Sequence, residues 1–264
     1  MEQLTSLLLL LFSSHIPLPL TDNLSALPAT EVRGSENHSP SILFAQSLDV
    51  AALQDSLSRL YEEIELDKQG LAIEVFKYAM TGYLGLLQQG KLSDKKLISI
   101  IDFTKSSNTK RFYTIDLEKR TLKYHTYVSH GKNSGEEMAK SFSNTVHSNQ
   151  SSLGFYITAE TYVGSKGYSL KLDGVEKGYN DKLRERAVVM HNAEYVSEYW
   201  IKKYGRLGRS QGCPALPQAL GKEVINAIKN HTAVFAYYDD PAYLNASRYL
   251  RMENVLTPLA SASK

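Results

Sequence analysis

Residues 187–216 read AVVMHNAEYVSEYWIKKYGRLGRSQGCPAL, and they hold the only cysteine of the chain, Cys213. The apolar run 187–190 predicts a short buried strand that ends at His191. A helical pattern follows from Glu194, and three glycines then break it into a loop before the cysteine: Gly205, Gly208 and Gly212. The sequence therefore predicts a strand that carries a histidine and a loop that carries a thiol.

The residues after the cysteine predict a second helix. Pro214 and Pro217 precede a helical run from about Gln218 to Lys229, which would place the thiol near a helix N-terminus. Amide dipoles at such a position lower the pKa of a thiol from roughly 8.5. A nearby imidazole has the same effect, so His191 and Cys213 together indicate a nucleophile paired with a base.

A lone cysteine is more often a small buried apolar residue. Cys213 instead follows the polar loop Gly-Arg-Ser-Gln-Gly at 208–212, which is rich in amide donors. A glycine also lets a backbone amide approach a ligand closely. We therefore expect an oxyanion hole formed by the backbone amides of Gly212 and Cys213.

The chain resembles the murein L,D-transpeptidase catalytic domain family, a branch of the YkuD-like L,D-transpeptidase superfamily. The resemblance covers roughly residues 97–240 and rests on these stretches: IIDFTK (100–105), YVSHGKNSG (127–135), SFSN (141–144), SSLGFYIT (151–158), GYSLKLDG (167–174), RERAVVMH (184–191) and GRLGRSQGCPAL (205–216). The more familiar branch has Ser-His-Gly-Cys followed by arginine, whereas this chain has Gln211 before the glycine and Pro214-Ala215 after the cysteine. We therefore do not carry over from that branch a role for a histidine or an arginine at these positions.

The resemblance implies a set of site residues. Cys213 is expected to be the nucleophile and His191 its catalytic partner, with the imidazole oriented by Asn192 through its backbone carbonyl. Three further residues are expected to bind substrate: Arg209, Ser210 and His130. A structural role stays open for each of the three: Arg209 as a solvated loop arginine, Ser210 as a serine that holds the loop and His130 as a capping histidine.

A metal site is the main chemical alternative. His130, His147, His191 and Cys213 are potential zinc ligands, but their spacing matches no compact motif. No lysine follows a Gly-rich loop after a strand, as nucleotide binding would require. We therefore expect neither a metal nor a cofactor.

Composition describes an ordinary globular protein. The 264 residues are 42% hydrophobic and 22% charged, with a formal net charge of +2. This charge is too small to indicate a nucleic-acid partner, although it is compatible with an anionic wall polymer. A single cysteine excludes an internal disulfide.

Changes in composition along the chain predict how it is divided into segments. Leu7 to Phe12 form an apolar run too short to span a bilayer, although Glu2 stands where a secretory signal normally has basic residues. A disordered tail is the alternative to a signal peptide, and no later run predicts a transmembrane segment. The predicted units are a signal peptide at 1–29, a linker at 30–41, a helical N-terminal segment at 42–96, a catalytic domain at 97–250 and a loose C-terminal tail at 251–264.

Hydrophobic periodicity predicts the fold class. Apolar stripes at helical spacing predict two helices, which either pack on the catalytic domain or bind a partner: Val50, Leu53, Leu57, Leu60 and Ile64, then Ile73, Phe76, Met80, Tyr83 and Leu87. From Leu97 the pattern changes to about six short strands, with a hairpin at Glu118-Lys119-Arg120. We expect a mainly β protein with helices (α+β), and the resemblance implies a β-sandwich or barrel-like catalytic domain.

The resulting functional expectation is a cysteine acyltransferase that acts on peptidoglycan stem peptides by L,D-transpeptidation. Two alternatives remain: an L,D-carboxypeptidase that uses the same thioester, and a non-catalytic wall-binding module of the same fold. Either activity would require export to the periplasm or cell envelope. The sequence does not indicate the oligomeric state.

Overall fold

The computed structural model describes residues 50–255. The predicted signal peptide, the predicted linker and residues 42–49 lie outside the described residues, as do residues 256–264. No helix within residues 50–255 is both long enough and apolar enough to cross a membrane.

Two amphipathic helices come first, α1 (Val50–Glu63) and α2 (Ile73–Gln88). Their apolar stripes are buried in the main hydrophobic core, so they pack internally instead of facing solvent. Gly82 of α2 lies directly on the ring of Phe155, where a Cβ atom would approach the ring to 2.0 Å. Gly90 follows the end of α2 and has a φ of +66. This is the left-handed conformation that is common just after a helix C-terminus.

Eight strands form one mixed sheet in the order β3-β2-β1-β8-β4-β5-β6-β7. The strands are β1 (Leu97–Asp102), β2 (Phe112–Asp116), β3 (Thr121–Thr126), β4 (Gly154–Gly164), β5 (Gly167–Gly174), β6 (Val189–Ala193), β7 (Ala215–Pro217) and β8 (Ala233–Tyr237). The pairs β1–β8 and β6–β7 are parallel, and the other neighbours are antiparallel.

The two ends of the sheet approach each other. Just beyond β3, the amide of Ser129 donates to the carbonyl of Ala215 in β7 at 2.9 Å. A further parallel bridge joins Gly131 and Ser210. The sheet therefore forms a nearly closed barrel with helices around it, which confirms the predicted α+β, barrel-like class.

Three more helices lie in the second half of the chain: α3 (Glu198–Tyr204), α4 (Gln218–Ile228) and α5 (Pro241–Ala246). The C-terminal tail predicted from residue 251 begins with residues that contact the core. Met252 and Val255 are buried, because both are apolar and pack on the main core. The side-chain amide of Gln88 also donates to the Val255 carbonyl at 3.1 Å.

Candidate active site

The pairing of β6 and β7 places the loop of the cysteine beside the strand of the histidine. The two strands are parallel, with His191 opposite Ala215. Cys213 lies two residues before Ala215, in the loop that leads into β7. The sequence places His191 at the end of a strand, but the structure places it at the third of five positions in β6.

The thiol is held by backbone groups of the segment that leads into β6. The amide of Val189 donates to Sγ of Cys213 at 3.5 Å, and the thiol donates to the carbonyl of Ala187 at 3.9 Å. Burial raises the pKa of the Cys213 thiol, while the Val189 amide and the charges of Lys166 and Arg186 act in the opposite direction. The thiol is therefore protonated at neutral pH.

The expected helix N-terminus near the thiol is absent. Strand β7 lies between Cys213 and the first residue of α4, Gln218. A helix dipole acts only within about the first turn, so it does not reach the sulfur. This separation and the burial of the thiol explain why the pKa of Cys213 is raised and not lowered.

His191 is buried and its ring orientation is fixed. Nδ1 lies 3.1 Å from the backbone carbonyl of Asn192, the group expected to orient it. A carbonyl only accepts, so Nδ1 carries the proton and Nε2 is left as the basic atom. Burial lowers the pKa of His191, the Asn192 carbonyl opposes that shift, and the charge of Lys166 adds to it. The imidazole is neutral at neutral pH and is suited to accept a proton.

Helix α4 supports the strand beside His191. A Cβ atom at Gly221 would lie 2.5 Å from Cβ of Asn192, so only a glycine allows the helix to approach the strand this closely. The contact fixes the position of the residue whose carbonyl orients the imidazole.

Ser210 holds the loop that carries the thiol. Its hydroxyl accepts from the amide of Gly212 at 3.0 Å and donates to the carbonyl of Cys213 at 2.6 Å. Of the two amides expected to form an oxyanion hole, that of Gly212 is therefore engaged. The amide of Cys213 makes no hydrogen bond within residues 50–255.

Gly212 is required at its position. Its φ is +117, and a Cβ atom there would lie 2.7 Å from the carbonyl oxygen of Gln150. The conformation and the lack of space both exclude a side chain. The close approach ties the thiol loop to the neighbouring segment, residues 143–152.

Arg186, which the sequence did not indicate as a site residue, binds the segment 143–152. Its guanidinium donates to the carbonyls of Ser143 and Gln150 at 2.7 and 2.5 Å. It also donates to the hydroxyls of Ser148 and Ser152 at 3.1 and 2.5 Å. Because its charge also favours the Cys213 thiolate, Arg186 links the loop architecture to the reactivity of the thiol.

His130 is buried and uses both ring nitrogens inside the protein. Arg111 donates to Nδ1 at 2.7 Å, and Nε2 lies 3.2 Å from the carbonyl of Gly135. Burial and then the charge of Arg111 lower the pKa of His130 to about 4. A neutral ring with no free nitrogen fits a structural role better than the expected contact with substrate.

The partner of His130 is a fully buried arginine that the sequence analysis also missed. Arg111 donates through Nε and Nη2 to the carbonyl of Val128 and through Nη1 to that of Lys105. Burial lowers the pKa of Arg111 to about 9. These bonds fix the chain just after β3, where the barrel closes.

Arg209, expected to bind a substrate carboxylate, already binds an internal one. It donates to Oε1 of Glu136 at 2.7 Å and to the carbonyl of Gly135 at 2.9 Å. Arg206 holds the other oxygen of Glu136 at 2.9 Å. The bonds of Arg209 to Glu136 and Gly135 both use Nη1.

The potential zinc ligands do not converge. Among residues 50–255, no three histidine, cysteine, aspartate or glutamate side chains are grouped as a metal site requires. His147 is exposed, whereas His191 is buried on β6.

Comparison with known proteins gives one family. The model of the L,D-transpeptidase catalytic domain matches residues 67–237. No curated protein matches the chain significantly.

Solved structures with detectable similarity include three L,D-transpeptidases. One from Mycobacterium smegmatis is 10% identical, with a TM-score of 0.34 over 54% of this chain and 59% of that one. L,D-transpeptidase 3 from Mycobacterium tuberculosis is 10% identical, with a TM-score of 0.34 over 54% of this chain and 61% of that one. One from Stackebrandtia nassauensis is 12% identical, with a TM-score of 0.33 over 70% of this chain and 78% of that one. The chain thus spans about three fifths of the two mycobacterial structures.

Proposed function

The chain belongs to the L,D-transpeptidase catalytic domain family, and from that premise we propose that it is a cysteine acyltransferase acting on peptidoglycan stem peptides. The observation that supports the proposal is the pairing of β6 with β7, which places the loop of Cys213 beside the strand of His191, together with the contact of the imidazole Nδ1 with the Asn192 carbonyl. In the proposed site, Nε2 of His191 is the base that activates the thiol, as nucleophilic catalysis requires.

In the acylation step, Nε2 of His191 takes the proton of the Cys213 thiol. The sulfur attacks the carbonyl carbon of the penultimate stem residue, at an L,D bond, and the carbonyl oxygen becomes an oxyanion. We assign the amide of Cys213, which has no hydrogen-bond partner among residues 50–255, as the donor to that oxygen. The Gly212 amide contributes if it leaves Ser210. The C–N bond then breaks, and His191 returns the proton to the departing D-amino acid.

In the second step, an amine of another stem peptide attacks the thioester. His191 accepts the proton from this amine, the C–S bond breaks and the thiol is restored. The product is a new amide bond between two stems, which cross-links or remodels the wall. If water attacks instead of an amine, the same thioester yields an L,D-carboxypeptidase product.

The test is intact-mass analysis of the full chain incubated with a tetrapeptide donor, with and without an amine acceptor. We expect a covalent adduct at Cys213 that lacks the terminal D-amino acid, and its transfer to the acceptor. The Cys213→Ala variant serves as the control. Release of tripeptide without transfer would favour the carboxypeptidase. Binding to wall fragments with no adduct would favour the wall-binding module.

Access to assembled wall requires export, and we propose that residues 1–29 direct it. The apolar run from Leu7 to Phe12 is the feature that supports a secretory signal. Fusion of roughly the first 35 residues to a reporter active only after export tests this point. A silent reporter would contradict it.

A further inference from the structure

Helix α3 follows directly after the strand that carries His191, yet it buries none of its residues. Local bonds define both of its ends: the Ser197 hydroxyl accepts from the Trp200 amide at 3.3 Å, and Gly205 terminates the helix with φ +75. The side chains of α3 are therefore exposed or half-buried at the protein surface.

Two of the five exposed side chains of α3 are aromatic. Tyr199 is 66% exposed and Tyr204 is 50% exposed. The rings of Trp200 and Tyr204 lie 4.6 Å apart, and the ammonium of Lys203 lies 5.8 Å from the centre of the Tyr199 ring and 5.2 Å from that of Tyr204. We call Tyr199, Trp200 and Tyr204 the aromatic face. Exposed aromatic rings that lie close together are a candidate binding surface.

The aromatic face is continuous with the active site. A small apolar cluster fixes the α3 segment to the barrel: Ala193, Val196, Leu207 and Ala215. Ala193 lies two residues after His191 in β6, and Ala215 is the residue paired with His191. The ring of Trp200 lies 6.4 Å from that of Tyr195, and burial and then the charge of Cys213 raise the pKa of Tyr195. A ligand on the aromatic face therefore lies near the surroundings of Cys213.

We infer that the aromatic face of α3 binds the glycan backbone of a wall strand, that is, a β-linked chain of N-acetylated hexosamines. Sugar rings present flat C–H surfaces that pack on exposed aromatic rings, while their hydroxyl and amide groups stay in water. Stem peptides attached to that glycan carry carboxylates, and the last turn of α3 contributes the cations Lys202 and Lys203. Glycan at this position would hold its stem peptide near Cys213. The inference rests on the proposed function for the identity of the ligand.

The chain provides its own reporter for this site. Trp200 is its only tryptophan, so intrinsic fluorescence reports on the aromatic face. We expect titration of the full chain with chitohexaose, a peptide-free hexamer of N-acetylglucosamine, to give a saturable change in emission. The double variant Tyr199→Ala/Tyr204→Ala should bind roughly ten-fold more weakly or worse, because two stacking rings are lost. Tyr162→Ala, which removes a 38% exposed tyrosine of β4, should bind like the wild type.

Two further measurements separate the possible outcomes. Acylation by free tetrapeptide should be unchanged in the double variant, since that substrate carries no glycan. Loss of sacculus binding with intact acylation would support the inference, and glycan binding without any acylation would support it while contradicting the proposed function. Equal chitohexaose affinity in wild type and double variant, or no binding at all, would overturn it. Sedimentation showing that the double variant only abolishes self-association would overturn it as well.

Discussion

The sulfur of Cys213 lies 3.5 Å from the amide nitrogen of Val189, two residues before His191 in the same strand. The backbone of β6, and not the imidazole, therefore holds the resting thiol. With the pKa of the thiol raised and that of His191 lowered, both groups are neutral at neutral pH. For the proposed mechanism, these pKa directions favour general-base activation during attack over a preformed ion pair of thiolate and imidazolium.

The first prediction concerns this protonation state. Alkylation of Cys213 by iodoacetamide should be slow at neutral pH and should rise through an inflection above the ordinary thiol value of roughly 8.5. His191→Ala should change this inflection little but should abolish acylation by tetrapeptide, because the proton acceptor is lost. Alkylation followed by mass spectrometry across pH measures both. An inflection below pH 7 that moves upward in His191→Ala would instead establish the ion pair.

The second prediction concerns Gly212. Gly212→Ala should lower the free energy of unfolding by about 2 kcal/mol or more, since a strained left-handed residue and a steric clash combine. Urea denaturation measures this change, and acylation should fall with it because the thiol loop moves. Gly178→Ala is the matched control: its φ is +86, but no atom lies within 4 Å of the added carbon. An equal loss in both variants would show that the contact with Gln150 contributes nothing.

The third prediction concerns Arg186. Arg186→Met should slow acylation at least about ten-fold, because a half-buried set of charge-assisted hydrogen bonds is lost, and should raise the pKa of the Cys213 thiol. Arg186→Lys keeps the positive charge but loses the several N–H donors of the guanidinium. Compared with Arg186→Met, it should therefore bring the thiol pKa closer to the wild-type value than the acylation rate. Stopped-flow acylation and alkylation against pH measure the two effects.

The neighbouring Arg184 provides the control for that experiment. It is exposed and pairs with Glu160 and Asp173, so Arg184→Met should change neither rate nor thiol pKa. If Arg186→Met behaved like Arg184→Met, Arg186 would have no part in positioning the thiol loop.

The fourth prediction concerns pH and stability. The pKa of His130 is lowered to about 4 in the folded protein, below the unfolded value of roughly 6.5. As pH falls from 7 to 5, His130 is protonated in the unfolded chain but stays neutral in the folded protein. The free energy of unfolding therefore decreases by about 2 kcal/mol. His130→Gln should remove this part of the pH dependence. His147→Gln, which changes an exposed histidine, should retain it in urea denaturation at both pH values, and an unchanged slope in His130→Gln would contradict the assignment.

Much of the architecture is readable from the sequence because it depends on local patterns. The stripe from Ile73 to Leu87 gives α2, and the alternation around Glu118-Lys119-Arg120 gives the β2–β3 hairpin. Strand β7 is not readable in this way. It has three residues, ends in Pro217, and exists because it pairs with β6 more than twenty residues earlier.

The same distinction between local patterns and long-range contacts applies to the candidate site. The loop glycines identify Cys213, and the apolar run before it identifies His191, so both candidates follow from local sequence. The pKa of the thiol and the partners of Arg209 do not, because burial and the position of Glu136 arise only in the folded chain. Arg111 and Arg186 were missed for a related reason. Arginine is rarely buried unless carbonyl groups from distant segments surround it, and sequence does not show which carbonyls those are.

Strand β8 is the last strand in the chain, yet it lies at the centre of the sheet between β1 and β4. Until it is in place, β1–β3 and β4–β7 are two separate blocks with no shared ladder, and the bond between Ser129 and Ala215 has no fixed frame in which to form. Such long-range pairing is slow to form. During synthesis, we therefore expect the barrel to close only after Tyr237 has left the ribosome. A chain truncated before β8 should carry an intact Cys213 and still lack the closed barrel around it.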